Sequence, residues 1–232
     1  MIPKIIHQIW LGDKNKMPVD LMKTVRDKHF DWKYILWTEK NLGHLVNHDK
    51  FNIINDHNKL FDNKFTNLAN IIRYEKLFEY GGIYIDADSI CNKPFNDLLD
   101  NKFFTAYENE VKKPGLIANG IIGSVSGYPI LEKCIDEIKT IKNKVLTRKP
   151  SFKTTGPVLL TKIIGEYGKE KITVYPSWYF FPVHYSGYVF NKKINPEKDS
   201  YTNQLWNSTN RNRRSFFERI TGKMYRKFNK NT

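Results

Sequence analysis

Asp86 and Asp88, separated by one residue, and Arg73 upstream of them are the side chains of this sequence best suited to chemistry. An Asp-x-Asp pair suits a hard divalent cation, Mn(II) or Mg(II), which takes few protein oxygens and keeps places for water and phosphate. On a strand, alternation puts Tyr84, Asp86 and Asp88 on one face and Ile83, Ile85 and Ala87 on the other. Positions two apart lie about 7 Å from each other along a regular strand. The spacing therefore predicts one direct and one water-mediated contact to an ion, unless the strand bends there. Arg73 and Asn70 are three apart on a helix, hence on one face near its start. A helix N-terminus favours anions, and the guanidinium adds a fixed charge with a planar donor fork.

The elements that must position these groups can be read around them. Leu68, Ile71, Ile72, Leu77 and Phe78 recur at helical spacing, with Asn67 as the expected N-cap. Gly81-Gly82 stops the helix, because glycine takes a left-handed conformation at little steric cost, and the strand from Ile83 to Asp88 follows. Upstream, Ile5 to Leu11 reads as a first strand with Trp10 at its carboxyl end, where α/β folds meet their ligands. Trp10 either stacks on a ligand or packs in the core, and His7 is assigned to structure. A helix opens at Pro18, Trp32 to Trp37 is a second strand, another helix follows from about Glu39, and residues 49–65 read as short helical pieces. This β-α-β-α order implies an α/β fold with a Rossmann-like, mostly parallel sheet flanked by helices. Beyond the aspartates, Phe103 to Tyr107 and Ile117 to Ser124 are strands, the latter broken at Asn119-Gly120. Pro129 to Ile141 and Val158 to Ile164 are helices, and Ile172 to Phe181 supplies late strands.

The block R-Y-x-x-L-x-x-Y-G-G-x-Y-x-D-x-D, from Arg73 to Asp88, closely resembles the core of the DXD glycosyltransferases. That family includes yeast initiating mannosyltransferases, bacterial capsule transferases and clostridial glucosylating toxin domains. IPKIIHQIWLG resembles its opening motif. The resemblance implies a GT-A type fold and a metal-dependent, retaining glycosyltransferase, a hexosyl- or N-acetylhexosaminyltransferase of glycan biosynthesis. Such an enzyme moves a sugar from a nucleotide sugar to a glycan or protein hydroxyl. A UDP-sugar is favoured by the toxin-like placement of Trp10 and Tyr84, with GDP-mannose as the other donor. By this resemblance Trp10 stacks on the base, Tyr84 lies against the donor, and Arg73 contacts the sugar. Asn70 stands where the family carries an aspartate. Asp88 and Asp86 hold the cation, Asn119 borders the acceptor, and Thr155-Gly156 belongs to a TGP segment facing the acceptor region. The closing metal segment is matched by Tyr201 to Asn210, from which a third ligand is expected, with Gln204 about where a histidine is usual and Ser208 or Thr209 about where the serine is. The competing function is a degenerate protein that binds a nucleotide sugar or glycan without turnover.

Length and composition agree with one enzyme domain over residues 1–210: of the 232 residues 40% are hydrophobic and 14% aromatic, enough for a large core. Cys91 and Cys134 lack metal-type spacing, so neither a disulfide framework nor a zinc site is indicated. The chain opens without a secretory pattern and contains no apolar run of about 20 residues, which predicts a cytoplasmic protein. A net charge of +14 raises the question of nucleic acid, but residues 211–232 carry eight Lys or Arg against Glu218, half of the excess. No nucleic-acid-binding motif accompanies the charge, and no nucleic-acid partner is expected. In that tail Phe216, Phe217, Ile220, Met224 and Phe228 share a helical side. It reads as an amphipathic helix that either meets an anionic membrane surface or docks on the domain.

Overall fold

The computed structural model describes residues 1–57, 64–189 and 193–206. Its strands and helices run in the order β1 (Ile5–Ile9), α1 (Val19–Lys28), β2 (Lys33–Trp37), α2 (His48–Asp56), α3 (Lys64–Tyr80), β3 (Gly82–Ile85), β4 (Ser89–Cys91), β5 (Phe103–Asn109), β6 (Lys113–Ser124), α4 (Pro129–Thr140), α5 (Asn143–Arg148), α6 (Ser151–Thr154), α7 (Pro157–Tyr167), β7 (Thr173–Tyr175) and β8 (Thr202–Gln204). Six strands form one sheet in the order β2-β1-β3-β6-β5-β7, and β4 pairs with β8 in a separate two-stranded ribbon. Three of the five pairings in the large sheet are parallel and the two made by β6 are antiparallel. The α/β reading, with a mostly parallel sheet between helices, therefore holds.

Both faces of the sheet are covered. Ile71, Ile72 and Leu77 of α3 join Leu131 and Ile135 of α4 and Leu160 and Ile163 of α7 in one core. On the other face Ile6, Ile83, Ile85, Phe104 and Ala106 pack with Val25 of α1 and with Phe95, Phe180 and Phe181. Strand alternation does the sorting: Ile83 and Ile85 enter the second core, while Tyr84 between them enters the first, under α3. Among the described residues no helix is long and apolar enough to cross a membrane.

Several local expectations are corrected. Asn67 is not an N-cap but lies one turn inside α3, fully buried, where its side chain serves a tertiary contact instead. No helix starts at Glu39; the Asn41 amide holds Leu36 O and Thr38 N in a turn, and helix resumes only at His48. Of the late strands only Thr173–Tyr175 pairs, because Ser177–Tyr179 turns into a 3-10 helix. The break at Asn119-Gly120 is a bulge within a continuous β6: Phe104 faces Gly123 and Ala106 faces Ala118, so β6 carries extra residues between them. Thr105 Oγ1 stands 2.8 and 3.0 Å from the Ala118 and Ile121 carbonyls and closes that bulge.

Candidate functional site

The helix-to-strand turn delivers the acidic residues. Gly81 and Gly82 have φ of 64° and 105°, which a side chain at either position would strain, and they swing the chain from α3 directly into β3. His7 props this turn. Its Nε2–H donates to Gly81 O at 2.8 Å, while its Nδ1 accepts from Trp37 Nε1 at 3.0 Å. Burial lowers the His7 pKa to about 4, so the ring stays neutral, in keeping with its structural assignment.

The strand ends at Ile85, not at Asp88. Asp86 N donates to Gly120 O, and a turn closed by Ser89 N on Asp86 O reverses the chain over Ala87 and Asp88. This is the bend that regular alternation lacked. As its consequence Asp86 Oδ2 and Asp88 Oδ1 converge on a single donor, Gln204 Nε2, at 2.9 and 3.2 Å. Gln204 arrives on β8, which pairs with β4 so that Gln204 lies opposite Ser89, and Ser89 Oγ donates to Gln204 Oε1 at 3.0 Å. Gly120 makes room for the group, since a Cβ there would lie 2.8 Å from Asp86 Oδ2.

Arg73 secures the other carboxylate oxygen. Its Nη2 donates to Asp86 Oδ1 and to Tyr84 OH, each at 2.9 Å, and Nη1 donates to Asn119 O at 2.5 Å. The guanidinium also lies 4.1 Å above the Tyr84 ring centroid. Tyr84 OH in turn donates to Asp86 Oδ1 at 2.6 Å. Burial, reinforced by the Asp86 charge against the opposing pull of Arg73, raises the Tyr84 pKa well above its usual value, which keeps the phenol a donor. Arg73 is 5% exposed and Asp86 26%, so the pair is buried on the arginine side and open to solvent on the acid side.

Beside this charged cluster runs a neutral one. Thr155 Oγ1 donates to Asn67 Oδ1 at 2.8 Å and accepts from Asn70 Nδ2 at 3.0 Å. Asn119 Nδ2 donates to Asn70 Oδ1 at 2.9 Å and to Tyr74 OH at 3.2 Å. Asn70 thus uses both ends of its amide on protein partners. The two clusters meet at Asn119, whose carbonyl serves Arg73 and whose amide serves Asn70.

Of the residues singled out in the sequence, Arg73, Asn70, Tyr84, Asp86, Asp88, Asn119, Thr155 and Gln204 come together here, with Gly156 next to Thr155. Trp10 stands at the carboxyl end of β1, half-buried, with its indole N–H donating to Asp13 O at 3.1 Å. Ser208, Thr209 and the tail 211–232 lie outside the described residues. Asn67, expected as a helix cap, and Tyr74 and Ser89 were not singled out as site residues from the sequence. For the first two no local signal distinguishes a site residue from a helix residue, whereas Ser89 adjoins the acidic pair. Among the described residues no three His, Cys, Asp or Glu side chains cluster as a metal site. The donor set is two carboxylates plus neutral oxygens, and their convergence on one amide N–H2 fits a small cation of the hard divalent class.

A sequence profile described as a glycosyltransferase sugar-binding region containing a DXD motif matches residues 17–105, which include Asn70, Arg73, Tyr84, Asp86 and Asp88. An uncharacterized glycosyltransferase of Acanthamoeba polyphaga mimivirus is 30% identical over 179 residues, spanning 75% of this chain and 68% of the viral protein. The chain belongs to the DXD glycosyltransferase family. Inositol phosphoceramide mannosyltransferase 3 of Schizosaccharomyces pombe is 30% identical over 172 residues, covering 72% of this chain and 46% of the yeast protein. This DXD glycosyltransferase therefore spans about half the length of such curated relatives. Among solved structures the PaToxG glycosyltransferase superposes with a TM-score of 0.59 at 19% identity, covering 72% of this chain and 70% of that one. That likeness bears on the fold, which is of the GT-A type expected of a DXD glycosyltransferase.

Proposed function

We propose that the protein transfers a sugar from a nucleoside diphosphate sugar to an acceptor hydroxyl, in a metal-dependent and retaining reaction. The observation that carries this reading is the convergence of Asp86 and Asp88 on one point beside the Arg73 guanidinium. A divalent cation held there, Mn(II) or Mg(II), supplies positive charge for the diphosphate leaving group. Arg73 holds Asp86 by a charge-assisted hydrogen bond and keeps the acidic pair aimed. Tyr84 and Arg73 both donate to Asp86 Oδ1, so that Oδ2, which accepts from Gln204 Nε2, is the oxygen turned toward the cation position. Gln204 is the third ligand of the proposal. Turning its amide over presents Oε1 to the cation, and Ser89 Oγ can accept from Nε2 after the turn as it donates to Oε1 before it. Trp10, half-buried at the next strand end, offers an aromatic face to the base. Asn119 and Thr155 border the acceptor side, with Asn70 bridging the two and the Asn119 carbonyl on the arginine.

The sequence favours a UDP-sugar, but the yeast relatives are named for mannose transfer, and this supports GDP-mannose as the first donor to test. The deciding experiment is release of sugar to water from GDP-mannose, UDP-glucose and UDP-N-acetylglucosamine with Mn(II) or EDTA. Metal-dependent release from one donor, lost in Asp88→Ala, is the expected result. Binding of a donor without release from any of them establishes the second reading, a nucleotide-sugar-binding protein. One observation favours that reading: Asn70, neutral where the family carries an acid, has both amide ends occupied.

A further inference from the structure

We infer that α5, α6 and the start of α7 form a docking surface for an anionic lipid membrane, placed to bring a lipid-borne acceptor to the site. The role in acceptor delivery rests on the transferase reading; the docking itself does not.

Between Glu137 and Glu166 the sequence contains no Asp or Glu, while Lys142, Lys144, Arg148, Lys149 and Lys153 fall within it and are all exposed. Other surface cations face acids, as in Lys4–Asp31 and Lys23–Asp27, and the two remaining lysines of this span do so as well, Lys139 with Asp136 and Lys162 with Glu137. None of the five makes an ion pair with a carboxylate among the described residues.

Apolar side chains stand among these charges. Val145 is 36% exposed, Phe152 43% and Val158 38%, three of the large hydrophobics left open to solvent in the described structure. They interrupt a run of cations on elements whose other positions, Leu146, Thr147, Ser151 and Thr154, are buried and anchor the short helices to the domain. Cations interspersed with an exposed aromatic ring are what a charged bilayer surface selects, since phosphate headgroups meet the former and the acyl boundary the latter. A nucleic acid would use the charges and leave the aliphatic residues unexplained.

Position links the surface to the site. Thr155 N and Gly156 N both donate to Ser151 O, so the turn that bears Phe152 and Lys153 is the one that presents Thr155 to Asn67 and Asn70. Lys50 of α2 donates to Ile141 O and Asn143 Oδ1 and pins the start of α5.

The test is co-sedimentation of the full chain with phosphatidylcholine vesicles, with and without phosphatidylserine. Wild type is expected to pellet with the acidic vesicles and not the neutral ones. The triple variant Lys144→Ser, Arg148→Ser, Lys149→Ser should lose roughly a hundredfold in partition, from about fivefold for each cation removed. Phe152→Ser, which changes no charge, should lose several-fold. A tail variant, Arg211→Ser, Arg213→Ser, Arg214→Ser, should lose less than the triple surface variant. The inference is overturned if the surface variant pellets like wild type, if the tail variant accounts for the loss, or if Phe152→Ser is unchanged, which would mean generic polycation adsorption. It is equally overturned if the surface variant loses binding to a single-stranded RNA while keeping the vesicles. Melting temperature and sugar release from soluble donor should match wild type in the surface variants. If wild type releases no sugar, the transferase reading falls while the vesicle result still decides the docking.

Discussion

The two halves of the site are built from one helix and yet use opposite chemistry. Arg73 of α3 faces Asp86, Tyr84 and, through Asp86, the Gln204 amide; Asn67 and Asn70 of the same helix face Thr155 and Asn119. The first half is ionic, with an acid that water can still reach. The second is neutral and buried, its amides and hydroxyls bonded mainly to one another. The difference teaches how the labour divides: a growing diphosphate charge needs cationic groups held in place beforehand, whereas hydroxyl groups are oriented by amides and hydroxyls that cost little to bury once paired.

The strongest way to break this contrast is at the acidic pair. Asp88→Ala should lower sugar transfer a thousandfold or more while the melting temperature barely moves. Asp86→Ala should do the same to activity and also destabilise the fold by about 2–3 kcal/mol, because it leaves the Arg73 charge buried without its acid; partial exposure of Asp86 keeps the cost below that of a fully buried pair. Urea denaturation of both variants measures the difference, and equal stability would deny the ionic half its structural role.

Next in size is a pH effect seated in the turn that feeds the ionic strand. With the folded His7 pKa at about 4 against an ordinary 6.5, the unfolded chain takes up a proton that the native ring refuses. Stability is therefore complete above pH 6.5, falls as pH drops from 6.5 to 4, and levels off below. The loss amounts to about 3 kcal/mol for this group. Burial depresses the His29 pKa too and adds in the same direction. Denaturant midpoints across that range should show a shallower slope in His7→Gln than in wild type, although the variant is weaker at every pH.

The neutral half should respond more mildly. Thr155→Val removes a hydroxyl that donates to Asn67 and accepts from Asn70, costing about 1–3 kcal/mol of stability, and Thr155→Ser should restore most of it. Smallest is the effect that joins the halves to the cation. Gln204→Glu adds a charged oxygen where the wild type has an amide and should tighten Mn(II) about tenfold in calorimetric titration, with Gln204→Ala weakening it; identical affinities would remove Gln204 from the ligand set.

How much of this was legible beforehand differs by element. The helix-glycine-strand block was readable because apolar period, glycine stop and alternation agree within one short stretch. Its edges were not: Asn67 has the residue type of a cap but the position of a buried partner, and only the hydroxyl of Thr155, 88 residues away, tells the two apart. The turn at Ala87-Asp88 was hidden too, since an alternating Tyr-Ile-Asp-Ala-Asp run looks like continued strand, and it is the Gly120 carbonyl on Asp86 N that helps mark its end. β8 was missed because three residues carry too little pattern to announce a strand.

In the sequence, side-chain type marks the candidate groups and alternation puts Tyr84 and Asp86 on one face, because both are local properties. Only the tertiary structure decided that Asp88 turns back to meet Asp86, that Gln204 crosses from the far end of the chain to sit between them, and that Asn70 spends its amide on Thr155 and Asn119. Those contacts join residues distant in sequence, and no local periodicity encodes a pairing that exists only once the sheet, its bulge and the covering helix have closed around it.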